Sequence, residues 1–411
     1  MPSGESAVPP VFRSCSFYRQ KIRQVQSLFL FALRVRCSNF LEPDGKAQHR
    51  GLEETVRSQR RPPPRWVRGL VVVYSRLAPM KRFEDSRLEK SIPGRIHVRI
   101  DVHAHYFPLE YINRLDLYGG SHVTGLIRKM KLDSADFGGL EDHFRNMDRS
   151  KVDMQVLSVS GQLPYFAKEN DAVDAARLGN DIYARIVREY PKRFAALACI
   201  PLPHLRAAIE ETRRVLDELG MVGVTAGTVV LGKSIADSAF DGFFAELNRR
   251  KAVLFIHPTG GGLGSQLIES SKLIWPVGAP LEDTVCMLQF MQANFPSRFP
   301  DIKIILPHLG GFAPFLATRL DQLQDHFLPD SAMAPSVQAK YFWYDTVNGN
   351  PAALRCTKET LGADHLLFGT DYPFWRDDAF KLCVDYIGES GLSAVEVDNI
   401  FSGNAQILLR L

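Results

Sequence analysis

The sequence predicts an α/β protein whose main part is a (β/α)8 TIM barrel. Eight short apolar, β-branched runs follow residue 96, and amphipathic segments of helical period separate most of them. Strands that alternate with helices favour a parallel sheet, and eight such units in about 310 residues favour a barrel over a doubly wound sheet. Histidine or aspartate follows several of these runs, where barrel enzymes carry their catalytic groups.

Two regions of the chain differ in charge. Residues 1–99 carry 20 Lys/Arg and 8 Asp/Glu, whereas residues 100–411 carry 30 and 38. Residues 57–65 form a basic, proline-rich stretch, and nothing before residue 96 shows the periodicity of a packed domain. We therefore expect a basic, largely disordered N-terminal extension over residues 1–95 and the barrel over residues 96–411.

The composition of the extension leaves its role open. Its acid-poor segment 12–40 allows a mitochondrial transit peptide, a disordered tail or a leader that is not translated. No aromatic–basic pattern supports nucleic-acid binding, and no apolar stretch is long enough to span a membrane, so we expect neither partner. The six cysteines are far apart without a Cys-x-x-Cys, which indicates a reducing compartment, and we expect the cytoplasm.

The predicted strands are short runs rich in β-branched and aromatic residues. In chain order they are 97–102, 154–159, 194–200, 222–225, 253–256, 302–306, 342–346 and 366–369. Amphipathic helices are predicted between them over 174–190, 205–219, 238–250 and 284–295. A final helix is predicted over 393–411, with Ile400, Phe401, Ile407 and Leu408 as its buried stripe.

Two long connections are predicted to be active-site loops. One spans 106–142 after the first strand, and the other spans 259–280 after the fifth. The second contains a glycine run from Gly260 to Gly264 without the Lys-Ser/Thr of a phosphate loop. We expect this run to form a mobile lid or to allow a close backbone approach.

Five polar residues fall at predicted strand ends. His103 and His105 end the first strand, and residues at i and i+2 of a strand point to the same side. The other three, His257, His308 and Asp371, follow the fifth, sixth and eighth strands. One such histidine is more often a structural residue, but four histidines and an aspartate at the same end of a barrel indicate a site.

The residue types in this set suit a metal. Three neutral imidazoles and one carboxylate hold Zn²⁺ and leave a position for water or substrate, so His103, His105, His257 and Asp371 are the predicted ligands. Water bound to such a metal is acidified towards neutrality. His308, the remaining histidine, is the predicted general acid/base.

Other polar and aromatic residues have two readings each. Phe374 and Trp375, just past Asp371, wall an aromatic substrate pocket or pack in the core. Arg319 clamps a substrate carboxylate or forms a surface salt bridge. His122, in the connection after the first strand, is predicted to contact either substrate or solvent. The other histidines outside the strand ends are predicted to be solvated: His143, His204, His326 and His365.

From about residue 96 to 411 the chain resembles the amidohydrolase-related metal enzymes of the aminocarboxymuconate-semialdehyde decarboxylase type. The resemblance rests on motifs in a fixed order, which are Asp101-Val102-His103-Ala104-His105, Met147-Asp148, Asn180-Asp181, Ile256-His257-Pro258, Pro307-His308-Leu309-Gly310-Gly311, Arg319-Leu320-Asp321, Gly369-Thr370-Asp371-Tyr372-Pro373-Phe374 and Asn404-Ala405. Together these motifs are specific for the family and much less specific for the substrate.

The resemblance implies a barrel of the metal-dependent hydrolase type with one divalent metal, usually zinc. It gives the ligand and acid/base roles to the same five residues. It also implies a homodimer in which Arg319 binds a substrate carboxylate, in some relatives across the subunit interface. Thr259 stands where the semialdehyde decarboxylase has a tryptophan, and the loop from Gly260 differs, so the substrate is left open.

Three function classes follow from these observations. The leading one is metal-dependent, non-oxidative decarboxylation of an aromatic or muconate-like carboxylic acid, with His308 or water that it activates supplying a proton to the carbon that loses CO2. The second is hydrolysis of a lactone, amide or related bond by the same centre. The third is a barrel without catalysis, whose basic extension binds a membrane or nucleic acid.

Overall fold

The computed structural model describes residues 98–134 and 139–411. The predicted disorder and targeting role of residues 1–95 lie outside the described residues. Within them, none of the helices is both long enough and apolar enough to cross a membrane.

The predicted barrel is confirmed. Eight parallel strands form its wall and neighbour one another in chain order: β1 (Ile100–His105), β2 (Met154–Ser158), β3 (Phe194–Cys199), β4 (Gly223–Gly227), β5 (Val253–His257), β6 (Lys303–Leu306), β7 (Trp343–Asp345) and β8 (Leu366–Leu367). Each lies within two residues of its predicted start, apart from the first, whose predicted start His97 is not described.

The last strand returns to the first. The backbone N–H of Val102 donates to the carbonyl of Phe368 at 2.9 Å, and that of His105 donates to Tyr372 at 2.6 Å. Ala104 and Tyr372 also form a parallel bridge. This closure brings the segment after β8, which carries Asp371, directly beside β1.

Helices connect the strands on the outside of the barrel. They are α1 (Leu109–Leu117), α2 (Ser121–Met130), α3 (Leu140–Ser150), α4 (Glu169–Glu189), α5 (Leu205–Asp217), α6 (Asp241–Arg250), α7 (Gln266–Ser270), α8 (Ala279–Gln292), α9 (Phe295–Arg298), α10 (Ala313–Gln322), α11 (Gln324–Phe327), α12 (Pro335–Gln338), α13 (Pro351–Leu361), α14 (Asp378–Gly388), α15 (Ala394–Asp398) and α16 (Asn404–Leu409). Short 3₁₀ turns cover Ser238–Phe240, Gly262–Gly264, His308–Gly310 and Ala339–Tyr341, and π turns cover Ile274–Gly278 and Asn399–Gly403. Two small ladders pair Phe107–Pro108 with Asp133–Ser134 and Val229–Val230 with Lys233–Ser234.

The C-terminal segment packs on the strands, but one residue that was predicted to be buried is exposed. Leu408 of α16 joins an apolar cluster with the strand residues Ile100, Val253 and Leu367. Ile407, predicted to be buried, is 75% exposed. The π turn between α15 and α16 adds a residue to the helical turn, so a stripe counted at a constant 3.6-residue period is wrong beyond it.

Both predicted active-site loops contain helices. The connection after β1 holds α1 and α2, and the connection after β5 holds α7 and the π turn over Ile274–Gly278. A Cβ atom on Gly260, whose φ is +75°, would lie 2.7 Å from the Trp275 ring. The glycine run therefore allows a close approach to its backbone, which was one of its two predicted roles, and the Trp275 ring packs against Gly260.

Candidate metal centre and active site

Four predicted ligands converge at the carboxyl end of the barrel. Alternation along β1 points His103 and His105 to one side, His257 is the last residue of β5, and Asp371 follows β8. One ligand atom from each lies within 4.8 Å of every other. Asp371 Oδ1 is 3.2 Å from Nε2 of His103 and 3.0 Å from Nε2 of His105. The sequence thus brings together residues up to 268 positions apart.

The four residues fit a divalent metal. The Nε2 atom of His257 is buried and has no hydrogen-bond partner among the described residues. Burial, followed by the nearby rings of His105 and His103, holds the pKa of His257 well below its usual value, which keeps its ring neutral. A buried, neutral nitrogen without a partner beside two further imidazoles and a carboxylate is the donor set of a metal site.

Hydrogen bonds at the far side of two rings aim their Nε2 atoms at this site. The Nδ1 of His103 donates to Asp345 Oδ2 at 2.6 Å, and the Nδ1 of His257 donates to the Pro258 carbonyl at 2.8 Å. A proton on Nδ1 leaves the Nε2 lone pair free to bind a metal. Asp345 Oδ1 also accepts the backbone N–H of His308 at 2.9 Å, so one carboxylate positions a ligand and the general acid/base candidate.

A second buried carboxylate lies on β1, two residues before His103. Asp101 accepts the backbone N–H of His103 at 3.1 Å, the N–H of Thr370 at 3.0 Å and the Thr370 hydroxyl at 2.6 Å. Gln155 donates its side-chain amide to Asp101 at 2.9 Å. Burial raises the pKa of Asp101 to about 6, although the bonds from Thr370 and Gln155 favour its charged form. Asp101 therefore joins the two chain segments that carry His103 and Asp371.

His143 belongs to the same network, which corrects its prediction. It is buried, its Nδ1 donates to Gln155 Oε1 at 2.8 Å, and its ring packs 4.3 Å from that of Tyr372. Burial lowers its pKa to about 4. His143 has charged neighbours in the sequence, and this local context predicted that it is exposed to solvent. Residues from other elements bury it instead, which a local pattern does not reveal.

His308 sits beside the ligands without belonging to their set. Its Nε2 lies 3.9 Å from Asp371 Oδ2, and its Nδ1 donates to Asp283 Oδ2 at 2.8 Å. Burial alone would lower the pKa of His308, but the charge and hydrogen bond of Asp283 hold it well above its usual value. This shift favours the protonated ring, and its Nε2 faces Asp371, which is the arrangement that a general acid requires.

A cavity of about 870 Å³ opens onto His257, His308 and Asp371. Phe374 and Trp375 line it. The Phe374 ring meets that of His105 edge-on at 5.7 Å and stacks with that of Trp275 at 6.4 Å. An aromatic wall thus stands beside the metal ligands.

Two other candidates lie away from this cavity. Arg319 is exposed on α10 and does not line the cavity of its own chain. His122 is exposed on α2. The structure of one chain therefore does not bring either residue to the site.

Sequence reasoning missed the carboxylates that support the site. Asp345 is the last residue of β7, and the rule that selected the other strand-end residues would have found it. Asp101 lies two residues before His103, but a β-bulge between Asp101 and Ala104 interrupts the alternation that would relate their side chains. Asp283 lies on α8, 25 residues before His308, and no local pattern marks it.

Comparison with known proteins places the chain in a family. The amidohydrolase family model matches residues 100–411. A 2-amino-3-carboxymuconate-6-semialdehyde decarboxylase from Dictyostelium discoideum is 30% identical over 76% of this chain and 92% of its own length. A 6-methylsalicylic acid decarboxylase from Penicillium expansum is 31% identical over 70% of this chain and 89% of its own.

A solved structure has the same fold. It is a dihydroxybenzoic acid decarboxylase from a Polaromonas species with bound manganese and the inhibitor 2-nitroresorcinol. It superimposes with a TM-score of 0.64 at 22% identity, over 76% of this chain and 97% of its own. The family match and these relatives together show that this chain belongs to the amidohydrolase family, in the group typified by aminocarboxymuconate-semialdehyde decarboxylase.

Proposed function

We propose that this chain is a metal-dependent, non-oxidative decarboxylase of an aromatic or muconate-like carboxylic acid. The observation that carries the proposal is His308, a partly buried imidazole held by Asp283 beside the four ligand residues and open to the cavity. Decarboxylation needs a proton donor at the carbon that loses its carboxylate, and it needs no redox cofactor. The curated relatives named decarboxylases support the same reaction class.

His103, His105, His257 and Asp371 are the proposed ligands of one divalent metal. Three imidazole nitrogens and one carboxylate favour zinc, whereas a solved relative contains manganese. When bound, such an ion acts as a Lewis acid towards a carboxylate or an adjacent hydroxyl. Metal analysis of protein purified without added metal distinguishes the two ions.

His308 is the proposed proton donor. Its imidazolium transfers the Nε2 proton to the ring carbon that bears the carboxylate, and a π electron pair of the substrate forms the new C–H bond. The bond to the carboxylate then breaks, its electron pair restores the π system, and CO2 leaves. His308 is neutral at this point and takes a proton from solvent, while Asp283 keeps its Nδ1 in place throughout.

Phe374, Trp375 and Trp275 are proposed to hold the substrate ring. They line the cavity, and the first stacks with the third at an interplanar angle of 21°. Aromatic faces bind a planar conjugated acid through offset or edge contacts and exclude water from the reacting carbon.

Release of labelled CO2 tests the function. Aromatic and muconate-like acids carrying ¹³C in the carboxyl group are incubated with metal-loaded and chelator-treated protein. We expect ¹³CO2 from at least one acid with the loaded protein and none after chelation. A ring-opened or hydrolysed product that retains the label would instead identify the hydrolase that the same ligand set supports.

We also propose that Arg319 acts in a homodimer, where it would bind the substrate carboxylate of the neighbouring copy. Its support is that Phe315, one turn before it on α10, is 84% exposed and lines the cavity mouth. Phe312, one turn before Phe315, is also exposed and lines the same cavity, and adjacent exposed apolar side chains are typical of a surface that another protein covers. Sedimentation of Phe315→Asp and wild type tests this: a dimer that dissociates only in the variant supports it, and a monomeric wild type contradicts it.

The cytoplasm is the proposed compartment. Its support is that the described cysteines, Cys199, Cys286, Cys356 and Cys383, are all free. The N-terminal sequence of the protein isolated from its natural source tests this, because removal of the basic extension would indicate targeting.

A further inference from the structure

A buried carboxylate on α8 contacts the segment that follows His257. Glu282 is 1% exposed, and its Oε2 atom accepts three hydrogen bonds. The backbone N–H of Thr259 donates at 2.7 Å, the Thr259 hydroxyl at 3.1 Å and the Thr228 hydroxyl at 2.8 Å. Hydrogen bonds to a buried carboxylate are stronger than those between neutral groups. Glu282 therefore fastens the connections after β4 and β5 to helix α8.

One peptide group joins Glu282 to His257. The Thr259 N–H that donates to Glu282 and the Pro258 carbonyl that accepts from Nδ1 of His257 belong to the same peptide unit. These two hydrogen bonds are 2.7 and 2.8 Å long. A negative acceptor at the N–H end of a peptide group increases the electron density at its carbonyl oxygen, because hydrogen bonds in a chain polarise one another. The charge of Glu282 therefore strengthens the hydrogen bond at Nδ1 of His257.

The end of β4 also holds the backbone around His257. The N–H of Thr228 donates to the His257 carbonyl at 3.0 Å. A Cβ atom on Gly227 would lie 2.7 Å from Cγ2 of Thr259, so the glycine allows this threonine to pack closely on the end of β4. Because Glu282 binds both threonines, it supports the main chain of His257 as well as its ring.

His257 differs from His103 in the partner of its Nδ1 atom. Nδ1 of His103 donates directly to the Asp345 carboxylate at 2.6 Å, whereas Nδ1 of His257 donates to a neutral carbonyl. A carboxylate behind an imidazole fixes the orientation of the ring and raises its basicity towards a metal. The carboxylate for His257 lies on the other side of the peptide group, at Glu282.

We propose that Glu282 is a positioning residue for His257 and acts through the Pro258–Thr259 peptide group. This inference rests on the proposed metal site, because His257 is one of its four proposed ligands. Glu282 keeps the proton of His257 on Nδ1, which leaves the Nε2 lone pair for the ion. Helix α8 then supports two parts of the proposed chemistry, since Glu282 positions a ligand and its neighbour Asp283 positions the proton donor.

Two measurements on Glu282→Gln test the inference. Zinc affinity is measured by competition with a chromogenic chelator, and the Nδ1 proton of His257 is observed by NMR in the metal-free, ¹⁵N-histidine-labelled full chain. Glutamine keeps the shape of the side chain and removes its charge. We expect zinc affinity to fall about tenfold, the lower end of the range for a direct partner. The Nδ1 proton signal, assigned by its loss in His257→Ala, should move upfield because its hydrogen bond weakens.

Further variants separate the effect of the charge from that of the packing. Thr259→Val and Thr228→Val remove hydroxyl groups that donate to Glu282 but keep the backbone N–H of each residue. They should lower the free energy of unfolding and leave zinc affinity and the proton signal as in wild type. Glu269→Gln is the matched control, because it removes a charge from an exposed side chain in the connection after β5. It should leave all three quantities unchanged.

The His257 signal separates the inference from the proposed metal site, because it is recorded without metal. A wild type that binds no zinc would contradict the metal site alone, and the signal would still test Glu282. A signal that stays in place in Glu282→Gln, or that moves as far in either valine variant, would overturn the inference. Wild-type zinc affinity in Glu282→Gln would overturn it too. If Glu282→Gln does not fold, Glu282→Asp, which withdraws the charge by one carbon, should move the signal upfield by a smaller amount, and an unmoved signal would be contrary evidence.

Discussion

The strand ends and the loop-built cavity of this barrel differ in how their side chains are held in place. At the strand ends, buried carboxylates hold polar side chains in place: Asp345 holds His103, and Asp283 holds His308. In the cavity, aromatic and aliphatic side chains reach solvent, and Trp275 is 43% exposed. The difference shows that hydrogen bonds position the groups proposed for the reaction, whereas mainly apolar side chains form the wall of the cavity proposed to hold the substrate.

The largest expected effect comes from removing the proton donor. His308→Asn should lower kcat by about a thousandfold, the range that one general acid supplies, while metal content stays unchanged. Asparagine suits the test because it tolerates the left-handed backbone of His308, whose φ is 55°. Steady-state CO2 release and metal analysis are the measurements. Activity within tenfold of wild type would remove His308 from the reaction.

The second prediction concerns the pH dependence of the polar network. Because burial lowers the pKa of His143 to about 4, the unfolded chain binds a proton at this residue between pH 6.5 and 4 and the folded chain does not. The contribution of His143 to the free energy of unfolding is therefore fully present above pH 6.5 and is lost as the pH falls towards 4. The loss is about 3 kcal/mol at most.

Urea unfolding across this pH range measures the effect. His143→Gln should show a shallower loss of unfolding free energy than wild type, because glutamine does not titrate. The substitution His326→Gln at an exposed histidine serves as the control. Parallel curves for wild type and His143→Gln would show that His143 titrates alike in both states.

A third prediction tests how far the strand-end network tunes the metal. Asp345→Asn removes the negative charge that His103 Nδ1 faces, so metal affinity should weaken between 10- and 100-fold. Competition with a chromogenic chelator gives the affinity. The variant Asp364→Asn, at an exposed position before β8, should bind metal like wild type. Unchanged metal affinity in Asp345→Asn would show that Asp345 does not contribute to metal binding.

The smallest effect is expected at Phe374, where the strand ends meet the cavity wall. Phe374→Leu keeps apolar volume but removes the ring that stacks with Trp275 and meets His105 edge-on. KM for aromatic acids should rise about tenfold at most, with kcat and metal content nearly unchanged. A fall in kcat with constant KM would instead place Phe374 in the alignment of the reacting carbon.

Strand ends were predictable from sequence because local patterns encode them. Each barrel strand is a short apolar run, and His257 or Asp371 interrupts that pattern where the run stops. The closing contacts between β1 and the segment after β8 followed from the fold class. The five strand-end residues therefore could be grouped before any coordinate was known.

Tertiary partners were not predictable in the same way. Asp283 reaches His308 from a helix, and the burial of His143 depends on Gln155 and Tyr372 from other elements. The cavity wall is assembled from several connections whose residues carry no periodic pattern of their own. Long-range packing decides both, so neither could be predicted from a local sequence pattern.

Metal stoichiometry tests the central claim most directly. Wild type, His257→Ala and the exposed-site control His326→Ala are purified, loaded with zinc, desalted and analysed for metal. The account predicts about one ion per chain in wild type and control and none in His257→Ala, because His257 supplies a buried nitrogen that has no hydrogen-bond partner within the described part of the chain. A folded wild type that retains no metal, or a His257→Ala variant that retains one, would contradict it.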